Sequence, residues 1–238
     1  MKRRLPAPSS TMKIMALCLF MALLSTGCVP PSVATKPDNN PMLKVTNAED
    51  PETASRRAKE TADWVVSSRD NRNKPFAIID KVNAKVHVYG ADGKRYGEAP
   101  VLLGLAKGDH SVPGIGNKSY SQIKNDERTT PAGRFDAVMG KNHKGKDIVW
   151  LDYEQALSMH AVVKGIPRDR RAQRLASATP LDNRISYGCI NVPVPFYKNV
   201  IQSNFSGNGG VVYVLPETAQ FSPAPNELLT AQKANPSR

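Results

Sequence analysis

Cysteine is scarce in this chain of 238 residues, with Cys18, Cys28 and Cys189 the three present. Histidine is nearly as scarce, at four: His87, His110, His143 and His160. No His-x-x-x-His pair or comparable ligand spacing occurs, so the sequence gives no reason to expect a metal, and no cofactor-binding motif is read in it. Internal repeats are missing, which argues against a solenoid or propeller. Neither a helix-turn-helix pattern nor basic residues interleaved with aromatics are found. The formal charge of +12 therefore has no nucleic-acid-binding motif behind it, and no nucleic-acid partner is expected. The apolar run at the N-terminus, Met12 to Leu24, is too short to cross a bilayer comfortably.

What is present at the N-terminus is more specific. Lys2, Arg3 and Arg4 form a positive segment, the apolar run follows, and Ser25-Thr26-Gly27-Cys28 closes it. That order reads as an export signal over residues 1–28. Small residues followed directly by cysteine resemble a bacterial lipoprotein cleavage box. The resemblance implies lipidation of Cys28, and so a periplasmic protein anchored to a membrane, the outer one favoured over the inner. Cleavage after Gly27 by an ordinary signal peptidase and an uncleaved anchor are the other outcomes considered. Lys2, Arg3, Arg4 and Lys13 precede Cys28 with no acid among them, so a chain starting at Cys28 keeps +8 of the +12. Such a chain still favours anionic surroundings. Cys18 would be lost with the signal and Cys28 consumed by lipid. Cys189 is then a lone thiol in a compartment where structural cysteines come in pairs, and a reactive nucleophile is the first explanation to consider.

Residues 29–50, rich in Pro, Asn, Thr and Lys, read as a tether. Pro51 to Ser68 reads as a short helix with Ala54, Ala58, Ala62 and Val65/Val66 on one face, and the tether and helix together are placed at 29–70. From Phe76 the pattern turns to short apolar or alternating runs bounded by turns. Strands are expected at Phe76–Asp80, Val82–Tyr89, Ala99–Leu105, Arg134–Met139, Ile148–Asp152, Ala156–Val163 and Gly210–Leu215. Asp92-Gly93 marks a hairpin turn, and Lys107–Asp126 reads as a loop. Helices are expected at Arg168–Ala176 and Val194–Gln202. The fold class is thus mostly β with a few short helices, over one domain at 71–216. Residues 217–238 read as a flexible tail. A monomer is expected.

The chemistry concentrates in Ser186-Tyr187-Gly188-Cys189-Ile190-Asn191. A glycine before a nucleophile permits a strained turn and lets substrate approach the backbone. Amides around Gly188 and Cys189 can face a developing oxyanion, and a helix starting nearby would lower the thiol pKa. A cysteine nucleophile needs a base. His160, at the end of the strand Leu157-Ser158-Met159-His160-Ala161-Val162, is the candidate. His87 is expected to face solvent from an alternating strand, and His110 and His143 to lie in surface loops.

With these residues in view, Phe76 to Leu215 resembles the catalytic domain of the L,D-transpeptidases. The first hairpin ending in Tyr89, the element Thr130-Pro131-Ala132-Gly133-Arg134-Phe135, Met159-His160-Ala161, and Ser186-Tyr187-Gly188-Cys189-Ile190-Asn191 carry the resemblance. The last is the most specific. It implies a β-sandwich of mixed sheets, with peptidoglycan stem peptides as substrate. Cys189 would be the nucleophile and His160 the base. Ser186, Tyr187, Gly188, Arg184 and Asn191 would be the oxyanion or substrate residues. For Arg184 a structural salt bridge is weighed equally. Three departures stand out. Tyr187 occupies a position that is often His, Ala161 one that is often Gly, and the 29-residue gap from His160 to Cys189 is longer than in most relatives. The extra length carries the basic run Arg168-Asp169-Arg170-Arg171, read either as a lid or substrate-facing helix or as a solvated helix on an inserted loop. The competing functional reading is a non-catalytic peptidoglycan-binding lipoprotein on the same fold, with Cys189 and His160 as relics.

Overall fold

The computed structural model describes residues 51–218, with side chains from residue 56 onward. The signal segment, Cys28, the tether at 29–50 and the tail beyond residue 218 lie outside the described residues. A first helix, α1 (Pro51–Ser68), leads into ten strands. They are β1 (Phe76–Asp80), β2 (Lys85–Tyr89), β3 (Arg95–Pro100), β4 (Leu103–Gly104), β5 (Gly133–Lys141), β6 (Asp147–Asp152), β7 (Leu157–Ala161), β8 (Arg184–Ser186), β9 (Ile190–Val192) and β10 (Gly210–Val214). A short helix α2 (Arg171–Ala176) lies between β7 and β8. A longer one, α3, lies between β9 and β10; it starts at Val194–Phe196, widens into a π-helical stretch at Tyr197–Gln202 and ends at Ser203–Phe205.

The fold is mostly β, as expected. Eight strands form a mixed sheet in the order β3-β2-β1-β10-β5-β6-β7-β9, and β4 pairs with β8 in a separate ladder. Pairings β1–β10, β7–β9 and β4–β8 are parallel and the others antiparallel. The two ends of the large sheet are tied together. Leu102, just after β3, exchanges both backbone hydrogen bonds with Asn191 of β9, each at 2.9 Å. The expected strand Ala99–Leu105 is therefore divided at Val101–Leu102, where the chain leaves β2 for β9.

The central strands show why their sequences are apolar without interruption. In β1, Ala77 and Ile79 point into the main core while Phe76 and Ile78 point into a second one beneath α1. In β10, Val212 and Val214 face the main core, and Val211 and Tyr213 the second. Strands covered on both faces have no polar side to alternate with. Helix α1 supplies Ala58, Ala62 and Val65, spaced four and three residues apart, to the second core, so it is packed onto the sheet. This packing overturns the solvent-facing assignment of His87. Val86 and Val88 point into the main core as read, but the face opposite them is roofed by α1, and His87 is 9% exposed. His110 and His143 are exposed.

Beside the site lies a buried ion cluster. The Lys81 ammonium, fully buried, donates to Gly108 O at 2.6 Å, Asp109 Oδ1 at 2.7 Å and Thr130 O at 3.0 Å, which uses all three of its protons. Asp109 also accepts from the amides of Glu217 and Thr218, each at 2.8 Å. Burial alone would raise the Asp109 pKa. The adjacent Lys81 charge and these hydrogen bonds outweigh it and hold the carboxyl well below the usual range.

Candidate active site

Cys189 sits in the turn between β8 and β9, and its shape is fixed by hydrogen bonds from its own motif. Gly188 has φ +126°, and a Cβ there would come within 2.9 Å of Thr129 O, so only glycine fits. Ser186 Oγ accepts from Gly188 N–H at 3.1 Å and donates to Cys189 O at 2.7 Å. Asn191 Nδ2 donates to the same carbonyl at 3.1 Å. From outside the motif, Thr130 Oγ1 donates to Gly188 O at 2.7 Å and accepts from Gly104 N–H at 2.8 Å. The Gly188 N–H is thus occupied by Ser186. Among the described residues the Cys189 N–H has no protein acceptor, which leaves it as the amide open to an oxyanion.

The base arrives on the neighbouring strand. β7 and β9 run parallel with Met159 opposite Ile190 and His160 opposite Asn191. Met159 is buried in the core, so side-chain alternation sends Ser158 and His160 to the opposite face, toward Cys189. His160 Nδ1 lies 2.9 Å from Ala161 O. A carbonyl only accepts, so Nδ1 carries a proton and Nε2 is left to meet the thiol. Burial by itself would depress the His160 pKa. The hydrogen bond to Cys189, the charge of that residue and the Ala161 carbonyl outweigh it, and the imidazole is held above its ordinary value. The Cys189 pKa moves the other way. Burial pushes it up, but the hydrogen bond and charge of His160, with support from Ser158, bring it below that of a free thiol. Ser158 Oγ is 3.4 Å from the sulfur. Both shifts favour thiolate and imidazolium, the arrangement thiol nucleophilic catalysis requires.

No helix begins at the cysteine. β9 follows it, and α3 starts only at Val194. The expected helix-dipole contribution is therefore replaced by His160 and Ser158.

The other candidates divide between site and scaffold. Tyr187 places its ring under the Arg128 guanidinium, 3.9 Å from the ring centroid, and against Tyr120, with centroids 4.9 Å apart. Arg184 points away from the thiol. It pairs with the Glu217 carboxylate and donates to Lys81 O at 3.0 Å, which is the salt-bridge alternative weighed for it. Asn191, 1% exposed, accepts from Arg171 at 3.0 Å through Oδ1. Thr130, Ser158, Arg128 and Tyr120 are not singled out as site residues by the sequence, while Arg171 lies in the basic run read either as a lid or substrate-facing helix or as a solvated one. For Ser158 the signal was available, since it lies two positions before His160 on a strand and so shares its face.

Beside the thiol is a cavity of about 20 Å³, walled by Ser111 and Ile115 of the 107–126 loop, with Gln155, Tyr187 and Gly188. It has room for about one water. It adjoins a groove of about 240 Å³ under the same loop. A cavity of that size does not admit a peptide from this side.

No family model matches the sequence, and no curated protein does. Among solved structures the chain is similar to the helical cell shape determining protein Pgp2 from Campylobacter jejuni, with a TM-score of 0.41 and 15% identity over 68% of this chain and 57% of that one. A lysine-to-alanine mutant of Pgp2 gives a TM-score of 0.38 and 17% identity, over 75% of this chain and 63% of that one. The chain spans less than two thirds of the length of these neighbours.

Proposed function

We propose that this protein is an exported cysteine acyltransferase of the L,D-transpeptidase type, acting on peptidoglycan stem peptides. One observation carries the reading. Cys189, within a Ser-x-Gly-Cys motif, lies beside the strand that carries His160, whose Nδ1 is fixed as a donor to Ala161 O, and the two groups shift each other's pKa toward thiolate and imidazolium.

The chemistry follows from that pair. The Cys189 sulfur, its proton on His160, attacks the carbonyl carbon at the L-centre of the third stem residue. The carbonyl oxygen becomes an oxyanion facing the Cys189 N–H. The C–N bond to the terminal D-Ala breaks as His160 returns the proton to the departing nitrogen, leaving a thioester. An amine then attacks the thioester carbon and gives a proton to His160. The C–S bond breaks, and the thiolate is restored. An amine from a neighbouring stem gives a crosslink, water gives trimming, and an amine of a protein gives anchoring. The relic reading predicts a thiol that does not acylate; the lowered pKa of Cys189 supports the catalytic one.

The test is release of D-Ala from tetrapeptide stems by the purified protein, followed by mass spectrometry. Release that stops in Cys189→Ala supports the reading, and undiminished release in that variant overturns it. Attachment to the outer membrane through lipid on Cys28 is proposed from the sequence. Intact mass of the membrane-extracted protein tests it, a mature chain beginning at an unmodified residue being the contrary result.

A further inference from the structure

The segment between β7 and β8 is the longest departure from the family pattern, and it is basic. Residues 164–185 hold Lys164, Arg168, Arg170, Arg171, Arg174 and Arg184 against Asp169 and Asp182. Some of these charges serve the scaffold. Arg184 pairs with Glu217, and Arg174 donates to the backbone carbonyls of Asp169 and Asp182. Lys164, Arg168 and Arg170 have no acidic partner among the described residues.

Arg171 differs from all of these. Its side chain is 12% exposed, with Nε 3.2 Å from Asp169 Oδ2 and one terminal nitrogen donating to Asn191 Oδ1 at 3.0 Å. Asn191 in turn holds Cys189 O and stands opposite His160 across the β7–β9 ladder. The guanidinium is close enough for its charge to oppose protonation of His160. Its remaining terminal nitrogen has no partner among the described residues. A solvated surface helix has no need of a half-buried guanidinium bonded to the side chain that holds the nucleophile's carbonyl. Arg171 also lines a groove of about 410 Å³ with Lys164, Arg170, Val162, Val163 and Val194. A second groove, which His160 itself lines, shares Val162, Val163 and Val194 with it.

We propose that the 164–185 segment builds a carboxylate subsite centred on Arg171, which holds the α-carboxylate of the D-configured residue whose nitrogen leaves or enters the acyl group on Cys189. The proposal rests on the acyl-transfer reading. In that reaction the exchanged nitrogen passes its proton through His160. In the departing D-Ala, and in an amine at the D-centre of a neighbouring stem, that nitrogen is bonded to a carbon bearing a carboxylate. One guanidinium beside the base therefore serves both half-reactions. A planar fork suits a carboxylate better than an ammonium does.

The discriminating variant is Arg171→Gln, which removes the charge but keeps a donor for Asn191 Oδ1. In a binding arm, the full chain carrying Cys189→Ala is titrated with a stem tetrapeptide ending in a carboxylate or a carboxamide. The carboxylate form should bind at least about tenfold more tightly, and the preference should vanish on adding Arg171→Gln. In a kinetic arm, D-Ala and its amide compete as acceptors. Arg171→Gln should raise the KM for D-Ala while leaving the KM for the amide unchanged. Equal binding of the two peptides, or a preference that survives Arg171→Gln, overturns the subsite. A carboxylate preference that depends on Arg171 in a protein without acyl transfer keeps the subsite and removes the transferase reading instead.

Discussion

Thr130 and Gly188 are 58 positions apart in sequence and joined by one hydroxyl, which donates to the Gly188 carbonyl at 2.7 Å and accepts from Gly104 N–H at 2.8 Å. Replacing it with an isosteric methyl leaves two buried backbone groups without a partner. Thr130→Val should lower stability by about 1–3 kcal/mol and slow Cys189 alkylation by disturbing the turn. Thr130→Ser should restore most of both. Denaturant melts with alkylation rates check this, and a fully stable, fully reactive Thr130→Val contradicts it.

Ser158 should tune the thiol without supporting the fold. Its hydroxyl lies 3.4 Å from the sulfur and favours the thiolate. In Ser158→Ala the thiol pKa should rise, and the alkylation rate near neutral pH should fall by about tenfold, the loss of one modest charge-assisted bond. Circular dichroism should show an unchanged fold.

Tyr120 should act on access. It is 67% exposed and leans on Tyr187 from the loop whose Ser111 and Ile115 confine the thiol. Tyr120→Ala should change stability by less than about 0.5 kcal/mol. Alkylation by a bulky maleimide should speed up more than alkylation by iodoacetamide. Equal effects on the two reagents would place the barrier elsewhere.

The buried cluster makes an acid-stability prediction. Asp109 is depressed in the fold, so its contribution is present above the ordinary carboxylate range, near pH 4, and is lost as pH falls through the folded-state value. Asp109→Asn should flatten the acid branch of the stability curve. Lys81→Met removes the buried cation that faces both Asp109 and Glu217 and should destabilise by about 3–5 kcal/mol. Chemical denaturation across pH tests both.

How much of this was readable in the sequence depended on whether each partner is local. Cys189 and His160 stood out because a lone thiol and an imidazole on an apolar strand need only their own neighbours to be noticed. The continuous apolar runs of β1 and β10 likewise reported burial on both faces. β8 and β9, at three residues each, are too short to show a period, so the cysteine's place between two strands was missed. Burial of His87 depends on α1, which reaches its strand only in the folded chain. Thr130 sat within a noticed motif, yet its acceptor lies 58 residues away. Arg171 belonged to a basic run open to both a substrate-facing and a solvated reading, and only β9, which brings Asn191 beneath it, sets it apart from its neighbours.

The account depends most on the Cys189 sulfur being a thiolate maintained by His160. The direct measurement is the pH profile of Cys189 alkylation in the wild type and in His160→Ala. In the wild type the sulfur should stay reactive below the ordinary thiol pKa. In His160→Ala burial is left with less to oppose it, and the profile should shift to higher pH. Superimposable profiles, or a wild-type thiol that reacts only in the alkaline range, would contradict the account.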